Sequence, residues 1–366
     1  MLTPKNRFYR PELDSLRFVA FLGVFAIHSI PHDPKFYAKF FPNWLSNFIA
    51  RIVQSGGFGV DLFFCLSSYL ITSLIIIEKN IDGRVDIKAF YIRRILRIWP
   101  LYFFSVVVLL ILWPLMSGER LSYPHIAGFT FLSGNWLTAF AYGHSRAVHL
   151  WSISIEEQFY IIWPLLIVSF GARRIWILAV SMLIIAEVSR GCAIYLDASP
   201  NMRWTNTFLR LDPIAVGAFL GFYIPPGYYL PSIVRIIFGI IGLALPTICL
   251  LLFDLNNWFD MLTYPIIAVG CGLILLAALQ PKQDGILSNK WTVYLGKISF
   301  GLYVLHAVGL EISRNIEFPL AVPGSLAVPV VGLITTIALA AVSYVALESP
   351  FLRLKERFAK VKSRPV

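Results

Sequence analysis

Long apolar runs recur along the chain near 14–31, 57–77, 99–116, 150–170, 175–196, 206–224, 233–253, 262–280, 292–313 and 325–347. Each approaches the length of about 20 residues with which a helix crosses a bilayer core. The pattern predicts an all-α polytopic transmembrane bundle of about ten spans. Segment 124–141 is less apolar and contains Ser133, Gly134 and Asn135. Charge decides whether it crosses, because cytoplasmic loops carry the excess of lysine and arginine. If it does not cross, the inner side collects Lys5, Arg7 and Arg10, then Lys79, Arg84, Lys88, Arg93, Arg94 and Arg97. Arg173, Arg174, Lys282, Lys290 and the tail cations Arg353, Lys355, Arg357, Lys360, Lys362 and Arg364 join them. The outer loops keep only Lys35, Lys39, Arg51, Arg120, Arg146, Arg203 and Arg314. The expected topology therefore has both termini in the cytoplasm and makes 117–149 an outer loop, re-entrant or not. Aromatic residues at span ends, such as Trp99, Trp113, Trp176 and Trp291, serve as ordinary interfacial anchors.

Composition agrees. Of 366 residues, 58% are hydrophobic and only 14% charged, and the mean hydropathy is +0.73. A soluble domain is excluded. The net charge of +11 follows the topology pattern, so no nucleic-acid partner is inferred. Cys65, Cys192, Cys249 and Cys271 stand singly in apolar runs, with neither disulfide nor zinc spacing. No metal site is expected. Asp14 and Arg17 interrupt the first apolar run, and no small-residue cleavage site follows, so it reads as a retained helix rather than a signal peptide. The expected organisation is a membrane domain over 1–350 and a basic cytoplasmic tail over 351–366.

Against this background the polar residues inside the spans stand out, because ionisable groups in a bilayer face a bundle interior or a wet cavity. Arg17 and His28 share one face of the first helix, about 16 Å apart. Either Arg17 snorkels to the interface and His28 ends the helix, or both belong to a site. Gly56, Gly57 and Gly59 open the second span and permit close backbone approach or an irregular helix start. Asp61 follows and needs a partner; Arg17, His28 or Arg210 could supply it. Arg93, Arg94 and Arg97 lie on one arc of an amphipathic stretch, read as a cytoplasmic interfacial helix. They could clamp phosphates or touch anionic lipid headgroups.

In HLWSISIEEQFYIIWP, His149, Ser152, Glu156, Tyr160 and Trp163 form one helical stripe, with Glu157 turned away as an interfacial charge. Asp212 before Pro213 has the pattern of a helix cap, leaving Arg210 as the functional group of that segment. Ser299, Tyr303 and His306 make a further stripe. His28, Glu156, Arg210 and His306 all fall in the outer half of their spans, which predicts that they line one water-accessible cavity.

These stretches together resemble the acyltransferase 3 family of bacterial integral-membrane O-acyltransferases. The resemblance rests on Arg17 and His28 at R-x10-H spacing, GGFGVDLFF with the following LS, and the arginine motif with Pro100 and Tyr102. It continues through WSISIEEQFY, the Arg210 segment, the motif ending in His306, and Glu348-Ser349-Pro350. Ser68 stands where the family commonly has glycine. The resemblance implies transfer of an acyl group, often acetyl, from cytosolic acyl-CoA to a hydroxyl of a glycan or similar acceptor. Exopolysaccharide, lipopolysaccharide or a lipid-linked sugar would fit. It also implies a bacterial inner-membrane location, with acetyl-CoA as a donor rather than a tightly bound cofactor. The C-terminal hydrolase-like domain of longer members is not expected here.

His28, Arg17 and Glu156 are the expected catalytic residues: a general base, a group polarising the thioester carbonyl or holding a phosphate, and an orienting carboxylate. Arg93, Arg94 and Arg97, with Ser67 and Tyr102, are the expected donor-binding residues. Asp14, Asp61, Trp151, Tyr160, Arg210, Tyr303 and His306 are expected around the acceptor. The competing class is a transporter or flippase for a glycan or lipid-linked sugar; it would show paired repeats, and none is visible.

Overall fold

A computed structural model describes residues 8–140, 145–253, 257–280, 286–316 and 324–361. Lys5, Arg7, Lys282, Lys362 and Arg364, counted above for topology, lie outside them. Among the described residues every regular element is helical. Seven helices are long and apolar enough to cross a membrane: Asn43–Asp82, Ile87–Ser117, Val148–Phe170, Ala172–Tyr195, Ser232–Leu252, Asp260–Ala278 and Ala327–Glu356. Lys290–Lys297 and Ser299–Arg314 meet at 72° and make an eighth if taken as one broken span.

Two of the expected ten spans differ for identifiable reasons. Helix Pro11–Ser29 carries Glu12, Asp14 and Arg17 in its first half, so its composition is not that of a simple apolar span. Helix Leu211–Tyr223 has 13 residues, about 20 Å of rise against a core of about 30 Å. The apolar run read there began at 206, but Phe208–Arg210 is a separate 3-10 turn. Segment 124–141 does not cross. It folds as Tyr123–Thr130 and Gly134–Ala139, helices of eight and six residues.

The arginine stretch is not a separate interfacial helix. Ile87–Val107 runs on through a π turn at Val108–Leu112 into Trp113–Ser117. Two of these arginines meet protein groups: Arg93 a carboxylate and a carbonyl, and Arg94 two aromatic rings. Asp86 starts the helix, its side chain accepting from the Ala89 amide at 2.9 Å. That N–H holds the Asp86 carboxyl below the usual carboxylate range. A depressed folded-state pKa means that the cap stabilises above the unfolded value of about 4 and that its contribution is lost as pH falls through the folded value. Asp86→Ala is expected to lose about 1 kcal/mol at neutral pH. The gap to wild type in thermal unfolding should narrow on acidification; a gap constant from pH 7 to about pH 3 contradicts the cap.

The chain divides into two compact units. One comprises Pro11–Leu66 and Gly227–Val342. Here helix 11–29 is packed backbone to backbone. A Cβ on Gly56 or Gly59 would run into the carbonyl oxygens of Gly23 and Ala20, and one on Gly296 into the backbone of Asp14. Glycine is required at these contacts because any side chain would push the helices apart. Ser15 Oγ also donates to Thr292 Oγ1 at 3.0 Å. The other unit comprises Met1–Arg10, Ser67–Pro226 and Ser343–Val366. In it Trp163 Nε1 donates to Thr72 Oγ1 at 2.9 Å, and Ser73 Oγ to the Gly221 carbonyl at 3.1 Å.

Candidate functional site

In the first unit, His28 lies in the last turn of helix 11–29, and His306 is on the buried face of helix 299–314. His306 is 1% exposed. Its Nδ1 lies 2.6 Å from the Tyr303 carbonyl, and its Nε2 lies 3.2 Å from His28 Nδ1. A carbonyl can only accept, so His306 Nδ1 carries the hydrogen. In the neutral ring its Nε2 is then an acceptor, and His28 Nδ1 must be the donor. The chain of bonds leaves the lone pair of neutral His28 on Nε2. That is the protonation state and tautomer a general base needs. Arg314 Nη2 donates to the His28 carbonyl at 3.2 Å, closing the end of the helix.

Three turns earlier, Arg17 Nη1 pairs with Asp14 Oδ1 at 3.0 Å, and the two side chains are 13% and 3% exposed. Asp61, expected to draw on Arg17, His28 or Arg210, is buried near the start of helix Gly59–Asp82. Tyr303 packs edge-on against Phe63, with centroids 5.8 Å apart.

In the second unit, Tyr160 donates to Glu156 Oε2 at 3.0 Å and shares a short hydrogen bond with Ser67. The Arg94 guanidinium lies over the rings of Tyr160 and Phe90, at 5.7 and 5.5 Å. The expected stripe is therefore real at Glu156, Tyr160 and Trp163. Glu157 is a correction: it is buried, not interfacial, and accepts from Trp99 Nε1 at 2.9 Å. Helix Trp151–Phe170 buries residues well beyond the one stripe the sequence reading assumed, and Glu157 is among them.

Arg210 is fully buried, 4.3 Å over the Trp204 ring, which packs against Trp151 at 6.3 Å. Asp212 does not cap the helix. It sits in the first turn and binds Arg190 Nη2, and both are 1% exposed. Asn135, on the short helix Gly134–Ala139, is fastened by a closed ring. Gln158 Nε2 donates to Asn135 Oδ1, Asn135 Nδ2 to Thr207 Oγ1, and Thr207 to Gln158 Oε1, at 3.0, 3.0 and 2.6 Å.

A cleft of about 500 Å³ in the same unit is lined by Arg93, Arg94, Arg97, Glu78 and Lys355 with Leu74, Ile75, Phe90, Ala359 and Val361. The three expected arginines thus share one hollow. Ser67 and Tyr102 do not line it: Ser67 is on Tyr160, and Tyr102 donates to the Phe129 carbonyl at 2.7 Å. Arg93 is held by Glu78 Oε2 and the Phe358 carbonyl, each at 2.8 Å. Among the described residues no cluster of histidine, cysteine and carboxylate side chains has the geometry of a metal site.

The family profile described as "Acyltransferase domain" matches residues 10–346. The chain belongs to the acyltransferase 3 family. Its described residues form the several apolar, membrane-length helices described above. It is 28% identical to "Putative O-acetyltransferase SAS0844" of Staphylococcus aureus strain MSSA476, over 99% of this chain and 60% of that protein. It is also 28% identical to "O-acetyltransferase OatA" of Staphylococcus aureus strain NCTC 8325, over 93% of this chain and 57% of that protein. The chain therefore spans about three fifths of the length of these curated relatives. No solved structure matches it.

Several structural partners in this chain escaped the sequence reading. Arg190 and Glu187 sit three apart inside an apolar run, the same signal that singled out Arg17. Glu78 was hidden at a span end, where a carboxylate looks solvated. Gln158 and Asn135 carry no charge and gave no comparable signal.

Proposed function

We propose that this acyltransferase moves an acyl group, acetyl by preference, from cytosolic acyl-CoA to a hydroxyl of a cell-envelope or exported glycan. It would do so in the bacterial inner membrane, with both termini cytoplasmic. The observation that supports the chemistry best is the Tyr303–His306–His28 chain of hydrogen bonds. His28 Nε2 takes the proton of the acceptor hydroxyl as its oxygen attacks the thioester carbonyl. The tetrahedral intermediate then collapses: the C–S bond breaks, and the proton passes from the imidazolium to the departing CoA thiolate. Arg17, paired with Asp14 about three turns from His28, offers its guanidinium to a phosphate of the donor rather than to the reacting carbonyl. Glu156, accepting from Tyr160, is a further group suited to holding sugar hydroxyls within its own unit. Arg94 and Arg97 bind the donor's phosphates in the basic cleft. An O-acetyltransferase name among the relatives at 28% identity favours acetyl as the group moved.

The test is mass spectrometry of envelope glycans from cells with the wild-type gene, without it, and with His28→Ala. A lost acyl increment restored only by the wild type is the expected result. Identical glycans in all three would overturn the acceptor assignment.

A further inference from the structure

The basic cleft has a wall that the arginine motif does not supply. Lys355, on helix Ser349–Glu356, together with Ala359 and Val361 just beyond it, lines the cleft. Lys355 is only 8% exposed. Two ties hold this end of the chain against the rest of its unit. Arg93 Nη1 donates to the Phe358 carbonyl at 2.8 Å, and Lys360 Nζ pairs with Asp82 Oδ2 at 2.6 Å. Arg93 also spends its second terminal nitrogen on Glu78, so its guanidinium is engaged in holding the cleft together. Four cations and a single carboxylate line about 500 Å³. That hollow is about as wide as the Debye length of about 8 Å at physiological salt, so the four cations can act on one occupant together.

We propose that residues 349–361 are a wall of the donor site and that Lys355 contacts a phosphate of the acyl donor, a contact no arginine of the motif makes in its place. The inference rests on the donor reading above. Ala359 and Val361 supply apolar surface beside the charge, suited to an organic phosphate rather than a bare anion. The C-terminal residues are then part of the binding site, and the ties through Phe358 and Lys360 set where Lys355 stands.

Equilibrium binding of CoA to the purified full-length chain in detergent tests this, with hydrogen exchange read on the same sample. Wild type is expected to bind. Lys355→Met should bind about ten- to a hundredfold more weakly, the weight of one hydrogen bond to a charged group. Lys355→Arg should keep most of the affinity. In the wild-type chain CoA should slow amide exchange across 349–361, a readout that survives even if Lys355→Met does not insert. Wild-type binding with no change in Lys355→Met, or with no slowing across 349–361, overturns the role of Lys355 and leaves the donor reading standing. Failure of the wild type to bind CoA at all overturns the donor reading and this inference with it.

Discussion

Acyl transfer by His28→Ala is expected to fall about 10²- to 10⁴-fold, the contribution of a positioned general base. Insertion and folding should survive, since His28 lies at a helix end and the glycine contacts that seat the helix lie elsewhere. The informative companion is His306→Phe, which keeps a ring of similar bulk but removes the acceptor for His28 Nδ1. Without it the His28 ring keeps its hydrogen bond to the Val24 backbone but loses the lone pair that draws its hydrogen to Nδ1. The loss in His306→Phe should appear in kcat rather than KM, and the pH–rate profile should change. Steady-state rates against pH, with acyl-CoA and acceptor varied separately, give both numbers. A His306→Phe enzyme with wild-type kcat and profile would falsify the tautomer argument, and a normally active His28→Ala enzyme would remove the base.

The second large effect is on stability. Asp212→Ala strips the buried Arg190 guanidinium of its closest carboxylate; Glu187, which also meets it, is 31% exposed, and the Leu209 carbonyl is uncharged. Removing one partner of a buried ion pair destabilises by roughly 3–5 kcal/mol, because the other charge stays desolvated. The double variant Arg190→Met with Asp212→Leu should recover most of that, since an apolar pair of similar bulk leaves no orphan charge. Thermal unfolding in detergent of the two single variants and the double variant measures the coupling. If Asp212→Ala melts with the wild type, the pair is dispensable.

The helical architecture was legible because periodic apolar runs of the right length admit few alternatives in lipid. That Arg17, His28 and His306 deserved notice was legible for a related reason, since a charge within such a run is conspicuous, and the closeness of Arg94 and Arg97 in one cleft was legible from their spacing. What was not legible is pairing. No local rule says that Asp212 binds a residue 22 positions earlier, or that Tyr102 spends its hydroxyl on a carbonyl 27 positions later. The Glu157 error came from assigning one buried stripe to a helix that is buried more widely. The count of ten spans is not matched at 206–224, where the apolar run is divided between a turn and a 13-residue helix, since hydropathy registers oil and not continuity. Tail cations looked like solvated charge because burial of Lys355 depends on where the preceding helix delivers it.

The glycine contacts around helix 11–29 carry a consequence for how this enzyme can vary. A helix touching its neighbours main chain to main chain at Gly23, Gly56, Gly59 and Gly296 is keyed in both azimuth and depth. Adding or deleting one residue between Gly23 and His28 would swing the imidazole by about 100° and shift it by about 1.5 Å. Evolution toward new acceptors would therefore leave that interval untouched, and selectivity would have to be written into the parts of the chain that are not keyed.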